Sequence, residues 1–152
     1  MSLCSEVLRR LQGKTLVTAE SCTGGGIGTA LTGVPGSSAV YKGGVISYCD
    51  EVKQDVLGVC KETLVLHGAV SAETAAEMAK GARKLLKADV AVSVTGLAGP
   101  GGDEYGHPVG TVYIGYDSEV ACAVREFLFT GDREEVRQLA IAAALELILE
   151  YA

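Results

Sequence analysis

The sequence predicts an α/β protein, a three-layer α/β/α sandwich on a mixed, mostly parallel sheet that includes an antiparallel hairpin. Three observations predict it. The run from Asp89 to Thr95 is almost continuously apolar, as befits a strand covered on both faces. A β-prone run, Thr15 to Ala19, passes through Glu20-Ser21-Cys22 into a glycine-led helical pattern. Two β-rich runs, Val109 to Tyr116 and Val120 to Phe129, are separated only by Asp117-Ser118-Glu119 and so pair as a hairpin. The 152 residues form one domain, residues 1–152, with no internal repeat or linker, large enough to bury a core.

Each element follows from local chemistry. Leu3, Val7, Leu8 and Leu11 mark an amphipathic first helix ending near Gly13. After the first strand, a helix runs from Gly24 to about Leu31, and Gly33 to Ser38 is a turn. Val40 to Tyr48 is β-rich, with Gly43-Gly44 marking a bulge or bend. Asp50 reads as the N-cap of a short helix reaching about Leu57. Ser71 caps the next helix, whose buried stripe is Ala75, Met78, Ala79, Ala82, Leu85 and Leu86. A glycine-rich loop, Gly96 to Pro108, follows the central strand. Asp132 and Glu135 form a capping box opening the last helix. That helix is apolar on most of its circumference (Val136, Leu139, Ala140, Ala143 and Leu147, then Ile141, Leu145, Ile148 and Leu149). Such a helix is sandwiched in a core or lies in a subunit contact, and we expect a homo-oligomer.

Composition excludes several classes. Hydrophobic residues make up 48%, far from the composition of a disordered chain. No apolar run is long enough to span a membrane and no signal-peptide pattern opens the chain. A net charge of −6 argues against a nucleic-acid binder, whose affinity comes from a basic face. Five cysteines, odd in number and without a C-x-x-C pair, read as reduced thiols of a cytoplasmic protein. His67 and His107 lack ligand spacing, so no metal site is expected.

Two nucleotide motifs fail. Gly13-Lys14-Thr15 precedes the first strand instead of following it, which excludes a P-loop. Gly26-Ile27-Gly28 is followed at the required place by Leu31, which excludes the dinucleotide fingerprint. No G-x-S-x-G elbow is present either.

The strand–turn–glycine unit is still suited to chemistry. It holds Ser21 or Cys22 at a strand tip and leaves the N–H groups of Thr23, Gly24 and Gly25 for a phosphate or a developing oxyanion. A serine nucleophile without a histidine needs another base. With Asp50 as cap, Lys53 falls in the first turn of its helix, where the dipole disfavours an ammonium. By position alone Lys53 is otherwise one lysine among the solvated ones.

Six blocks then occur in order: Thr18-Ala19-Glu20-Ser21-Cys22-Thr23-Gly24-Gly25, Ser47-Tyr48 with Lys53, His67 to Ser71, Thr95 to Pro100, Pro108 to Tyr113, and Gly131-Asp132-Arg133. Together, over about residues 5–151, they closely resemble the CinA C-terminal domain family, whose characterised members are nicotinamide-nucleotide amidases. The resemblance implies a three-layer sandwich and hydrolysis of nicotinamide mononucleotide to the nicotinate nucleotide and ammonia, with no metal or other cofactor. It implies Ser21 as nucleophile and Lys53 as its partner, with Tyr48 nearby. The substrate is expected on Glu20, Thr23, Gly24 and Gly25, on Thr95, Gly96 and Gly99, and on Arg133 and Arg137. The same loops suit a non-catalytic pyridine-nucleotide-binding or assembly module, the alternative reading. The chain departs from the family pattern twice. Cys49-Asp50 stands where Ser-Asn is common, placing a charge beside Lys53 that favours its ammonium, and Gly28 stands where alanine is usual.

Overall fold

The computed structural model describes residues 1–152. Five strands form one sheet in the order β2-β1-β3-β4-β5. They are β1 (Leu16–Glu20), β2 (Tyr41–Ile46), β3 (Val90–Gly96), β4 (Thr111–Ser118) and β5 (Cys122–Leu128). β1 runs parallel to both β2 and β3, whereas β4 is antiparallel to β3 and to β5. β4 alone therefore points the other way, and the hairpin expected across Asp117-Ser118-Glu119 is the β4–β5 pair.

Helices cover both faces. On one side lie α1 (Leu3–Arg10), α2 (Gly26–Thr32) and α6 (Arg133–Tyr151). On the other lie α3 (Asp50–Asp55), α4 (Lys61–His67) and α5 (Ala72–Leu86). The apolar run of β3 is divided between the two cores by strand alternation. Val90, Val92 and Val94 pack with α1, α2 and α6, and Ala91 packs with Met78, Ala79 and Ala82 of α5.

This connectivity positions the site. From β1 the chain passes through α2 to β2 on one side, and from β2 through α3, α4 and α5 to β3 on the other. The first connection steps from β1 to β2, and the second returns past β1 to β3 over the opposite face, so the strand order reverses between β1 and β3. A crevice opens at the carboxyl ends of strands where this happens, and open α/β sheets bind ligands there. Ser21 follows β1 directly, and its N–H donates to Val94 O of β3 at 3.0 Å.

Local signals account for most boundaries. In the β1–β2 ladder, Leu16 pairs with Tyr41 but Val17 with Gly43, so Lys42 is the bulged residue. A Cβ on Gly44 would stand 2.2 Å from Thr18 Oγ1, which explains the second glycine. Gly28, the departure in α2, has a similar cause. A Cβ there would lie 2.7 Å from Tyr41 Oη, which shares a 2.8 Å hydrogen bond with Thr18 Oγ1. Ser71 caps α5 by accepting from Thr74 N–H, and Asp132 with Glu135 forms the full capping box of α6.

Four expectations are corrected. α2 starts at Gly26 and not Gly24, because Gly24 and Gly25 take left-handed φ angles of +58° and +96°. Asp50 is the first residue of α3 and not its cap; extended Cys49 holds that place, and the helix ends at Asp55. α4 was not expected, and only Leu64 of its seven residues is buried. Finally, the apolar circumference of α6 is covered within one chain, by β3 and β4 on one side and by α1 and α2 on the other. Leu139 is its one large apolar side chain left exposed, so α6 supplies no reason to expect self-association.

Candidate active site

Ser21 and Lys53 meet at the carboxyl end of β1. Lys53 Nζ lies 3.0 Å from Ser21 Oγ and 2.6 Å from the carbonyl oxygen of Ser47. Lys53 is 1% exposed although it is a lysine on a six-residue helix. It is the fourth residue of α3, one place beyond the position expected, and its N–H already closes the first turn onto Cys49 O. Burial, not the helix start, is what disfavours its ammonium. Burial pushes the amine below its ordinary value, against Asp50, Cys49 and Cys22, whose charges favour the protonated form.

The strand tip offers Ser21 or Cys22 as nucleophile and the family resemblance implies Ser21; their surroundings separate the two as well. Cys22 belongs to the same apolar core as Val94 and Ile141, and burial pushes its thiol up to about 11. A thiol held protonated at neutral pH is a poor nucleophile. Ser21, by contrast, has an amine in hydrogen-bonding reach that burial biases toward the neutral form. That arrangement lets the amine take the hydroxyl proton as the oxygen attacks a carbonyl carbon.

Glu20 is turned away from the cleft. Its carboxylate accepts from Thr23 Oγ1 (2.7 Å), Ile27 N–H (2.9 Å) and Gly28 N–H (3.0 Å), capping α2 from the preceding strand. It is 1% exposed and offers nothing to a substrate. The start of α2 is consequently occupied by the protein's own anion. Of the three expected N–H donors, that of Gly24 is taken by Ser21 O, whereas those of Thr23 and Gly25, and that of the neighbouring Cys22, donate to no other residue. The Glu20 main chain holds the lysine in place as well, since its carbonyl accepts from both N–H (2.7 Å) and Oγ (3.2 Å) of Ser47. Ser47 lies in one of the motif blocks, but only the fold brings its carbonyl to Lys53.

An open cleft of about 390 Å³ lies over the pair, of a size that suits a nucleotide. Tyr48, Asp50, Thr95, Gly96, Gly99 and Arg133 all line it, as does Asp103. Thr95 Oγ1 is engaged with Ala69 O (2.7 Å), joining two walls. Arg133 donates to Gly99 O (2.6 Å) and to Tyr48 Oη (2.8 Å), which ties α6 to both lips. Arg137 does not line the cleft; it donates to Cys22 O (3.2 Å) and Thr23 O (3.1 Å) and clamps the Ser21 loop from behind. Thr23, Gly24 and Gly25 likewise lie off the cleft. The loop beyond Gly101 is anchored through Tyr105, whose hydroxyl donates to Leu64 O and Val65 O of α4. No group of three or more His, Cys, Asp and Glu side chains is gathered to hold a metal ion, and no helix is long and apolar enough to cross a membrane.

Fold and site together define a mixed-sheet α/β/α sandwich carrying a buried serine–lysine pair at the carboxyl edge of its sheet. The chain belongs to the CinA C-terminal domain family, whose model matches residues 2–152. It is 50% identical over 150 residues to a CinA-like protein of Parasynechococcus marenigrum, covering 95% of this chain and 36% of the relative. With a CinA-like protein of Thermosynechococcus vestitus it shares 49% over 154 residues, 97% of this chain and 36% of that one. The chain thus spans about a third of the length of these curated relatives. Solved structures match along nearly their whole length. The competence damage-inducible protein A of Klebsiella pneumoniae superposes with a TM-score of 0.95 at 41% identity, covering 98% of this chain and 94% of that chain. A CinA superfamily protein of Escherichia coli gives 0.96 at 37%, covering 99% and 88%.

Proposed function

We propose that the protein is a nicotinamide-nucleotide amidase that hydrolyses the carboxamide of nicotinamide mononucleotide by a serine–lysine mechanism. The observation that carries this reading is the 3.0 Å approach of a buried Lys53 amine to Ser21 Oγ at the floor of a nucleotide-sized cleft. Neutral Lys53 takes the proton of Ser21 as Oγ attacks the carboxamide carbon. The N–H group of Cys22, which lines the cleft and donates to no other residue, receives the developing oxyanion; loss of such a donor typically costs about 3 kcal/mol. The tetrahedral adduct collapses, and the lysinium, directly or through Tyr48, returns the proton to the departing nitrogen as ammonia. Water, deprotonated by the same amine, then releases the acid from the acyl-serine and restores the serine hydroxyl.

We assign the substrate phosphate to Arg133, the cation on the cleft wall; of the two arginines offered by the sequence, Arg137 is engaged behind the loop. A pyridine-nucleotide-binding module without turnover is the second reading. It is favoured by one feature, the Asp50 charge beside Lys53, which supports the inert ammonium. Ammonia release separates the two. Stoichiometric ammonia from nicotinamide mononucleotide establishes the amidase, whereas a melting shift with no ammonia leaves only the binder.

A further inference from the structure

We infer that Asp50 is the charge-selecting residue of the cleft, reserving it for carboxamides borne on a fixed cation, an N-substituted pyridinium, over amides on a neutral ring. The inference rests on the amidase reading and adds the charge that its substrate must carry.

Four charged side chains line the cleft: Asp50, Lys53, Asp103 and Arg133. Three have partners. Lys53 is bound to Ser21 and Ser47, and Arg133 to Gly99 and Tyr48. Asp103 accepts from the N–H groups of Tyr105 (3.2 Å) and His107 (3.1 Å) and pairs with His107 Nδ1 at 2.6 Å. Asp50 makes no side-chain hydrogen bond and no ion pair, although it opens onto the same space. Asp50 and Lys53 are three residues apart on α3, which puts both on one side of the helix.

The reaction fixes where the ring must sit. Attack needs the carboxamide carbon roughly 3–3.5 Å from Ser21 Oγ. In a nicotinamide ring the nitrogen is two bonds from the carbon that bears this group. A pyridinium charge is therefore brought against the Ser21–Lys53 pair, where a lysinium would repel it. The Asp50 carboxylate offsets that repulsion and gains the partner it lacks. A neutral ring supplies no partner and leaves the carboxylate to lose water for nothing in return. The phosphate is of opposite sign and belongs to the Arg133 wall, so the cleft matches a ligand that is cationic at its ring and anionic at its far end.

The test compares nicotinamide mononucleotide with its reduced 1,4-dihydro form, which has the same carboxamide, ribose and phosphate on an uncharged ring. Calorimetric titration in a Ser21→Ala background, where neither form is hydrolysed, is expected to show that adding Asp50→Asn lowers affinity for the cationic form on the order of tenfold, with the reduced form within about twofold. Asp50→Glu should keep the preference, and raising the salt should narrow it where Asp50 is kept. If Asp50→Asn leaves the ratio of the two affinities unchanged, whether or not its melting temperature moves, Asp50 only favours the start of α3 and the inference is overturned. Ammonia release by wild type distinguishes the two levels. Turnover with an unmoved ratio defeats the inference alone, whereas no binding of either form defeats the amidase reading and the inference with it.

Discussion

Lys53 Nζ comes closer to the Ser47 carbonyl oxygen, at 2.6 Å, than to Ser21 Oγ, at 3.0 Å. The carbonyl can only accept. A neutral amine therefore commits one N–H to Ser47 and can turn its lone pair toward the serine hydroxyl, the orientation a base needs. Arginine cannot surrender its proton at any accessible pH. Lys53→Arg and Lys53→Ala should both lower ammonia release about 100-fold or more, within the usual range of general-base catalysis. Binding of nicotinamide mononucleotide should survive in the arginine variant. Near-normal turnover by Lys53→Arg would show that the residue only positions charge.

The pH dependence has a definite sign. Burial lowers the Lys53 amine below its ordinary value of 10.5. Ammonia release should rise with pH through this lowered value and level off before 10.5 is reached. Stability should move the same way. Below the folded-state value both states carry the ammonium and the fold bears the whole burial cost. Between the folded-state and ordinary values the unfolded chain binds more protons, so stability rises with pH. Urea midpoints of wild type and Lys53→Met across that window check this. The rise should shrink in the variant.

Ser21 and Cys22 can be separated directly. Ser21→Ala should abolish turnover while leaving the melting temperature nearly unchanged. Cys22→Ala should retain most turnover, with a stability loss of about 1–2 kcal/mol for a small core cavity. An inactive, well-folded Cys22→Ala protein would make the thiol the nucleophile.

Glu20 carries stability more than substrate. Its carboxylate holds three donors in a buried place. Glu20→Ala should cost about 2–4 kcal/mol by urea unfolding, through loss of the α2 cap and unpaired N–H groups. A loss of activity without a loss of stability would return Glu20 to the substrate.

The two arginines should behave differently. Arg133→Ala should raise KM for the mononucleotide about tenfold or more, with little effect on the riboside, which lacks the phosphate. Arg137→Ala should affect both substrates alike, because that side chain holds the Cys22 and Thr23 carbonyls. Equal effects of Arg133→Ala on nucleotide and riboside would remove the phosphate seat from α6.

Sequence by itself determined whatever depends on neighbours along the chain. The capping box of α6, the Ser71 cap, the bulge beside Gly43-Gly44 and the β4–β5 hairpin each need only a few consecutive residues, and all are present. The six ordered motif blocks determined the family. α4 escaped notice because a seven-residue helix with one buried side chain carries almost no periodic signal. What only tertiary structure decided are properties set by parts distant in sequence. Lys53 reads as a surface lysine until α3 docks it against Ser47 and Ser21, 6 and 32 residues away. Glu20 reads as a ligand group until α2 folds back and takes its carboxylate, and α6 reads as an interface until α1, α2 and the sheet enclose it. In each case the side chain's chemistry is plain from its type. Its role depends on burial and on which partners use up its charge and hydrogen bonds, and those are set by the packing of the whole chain.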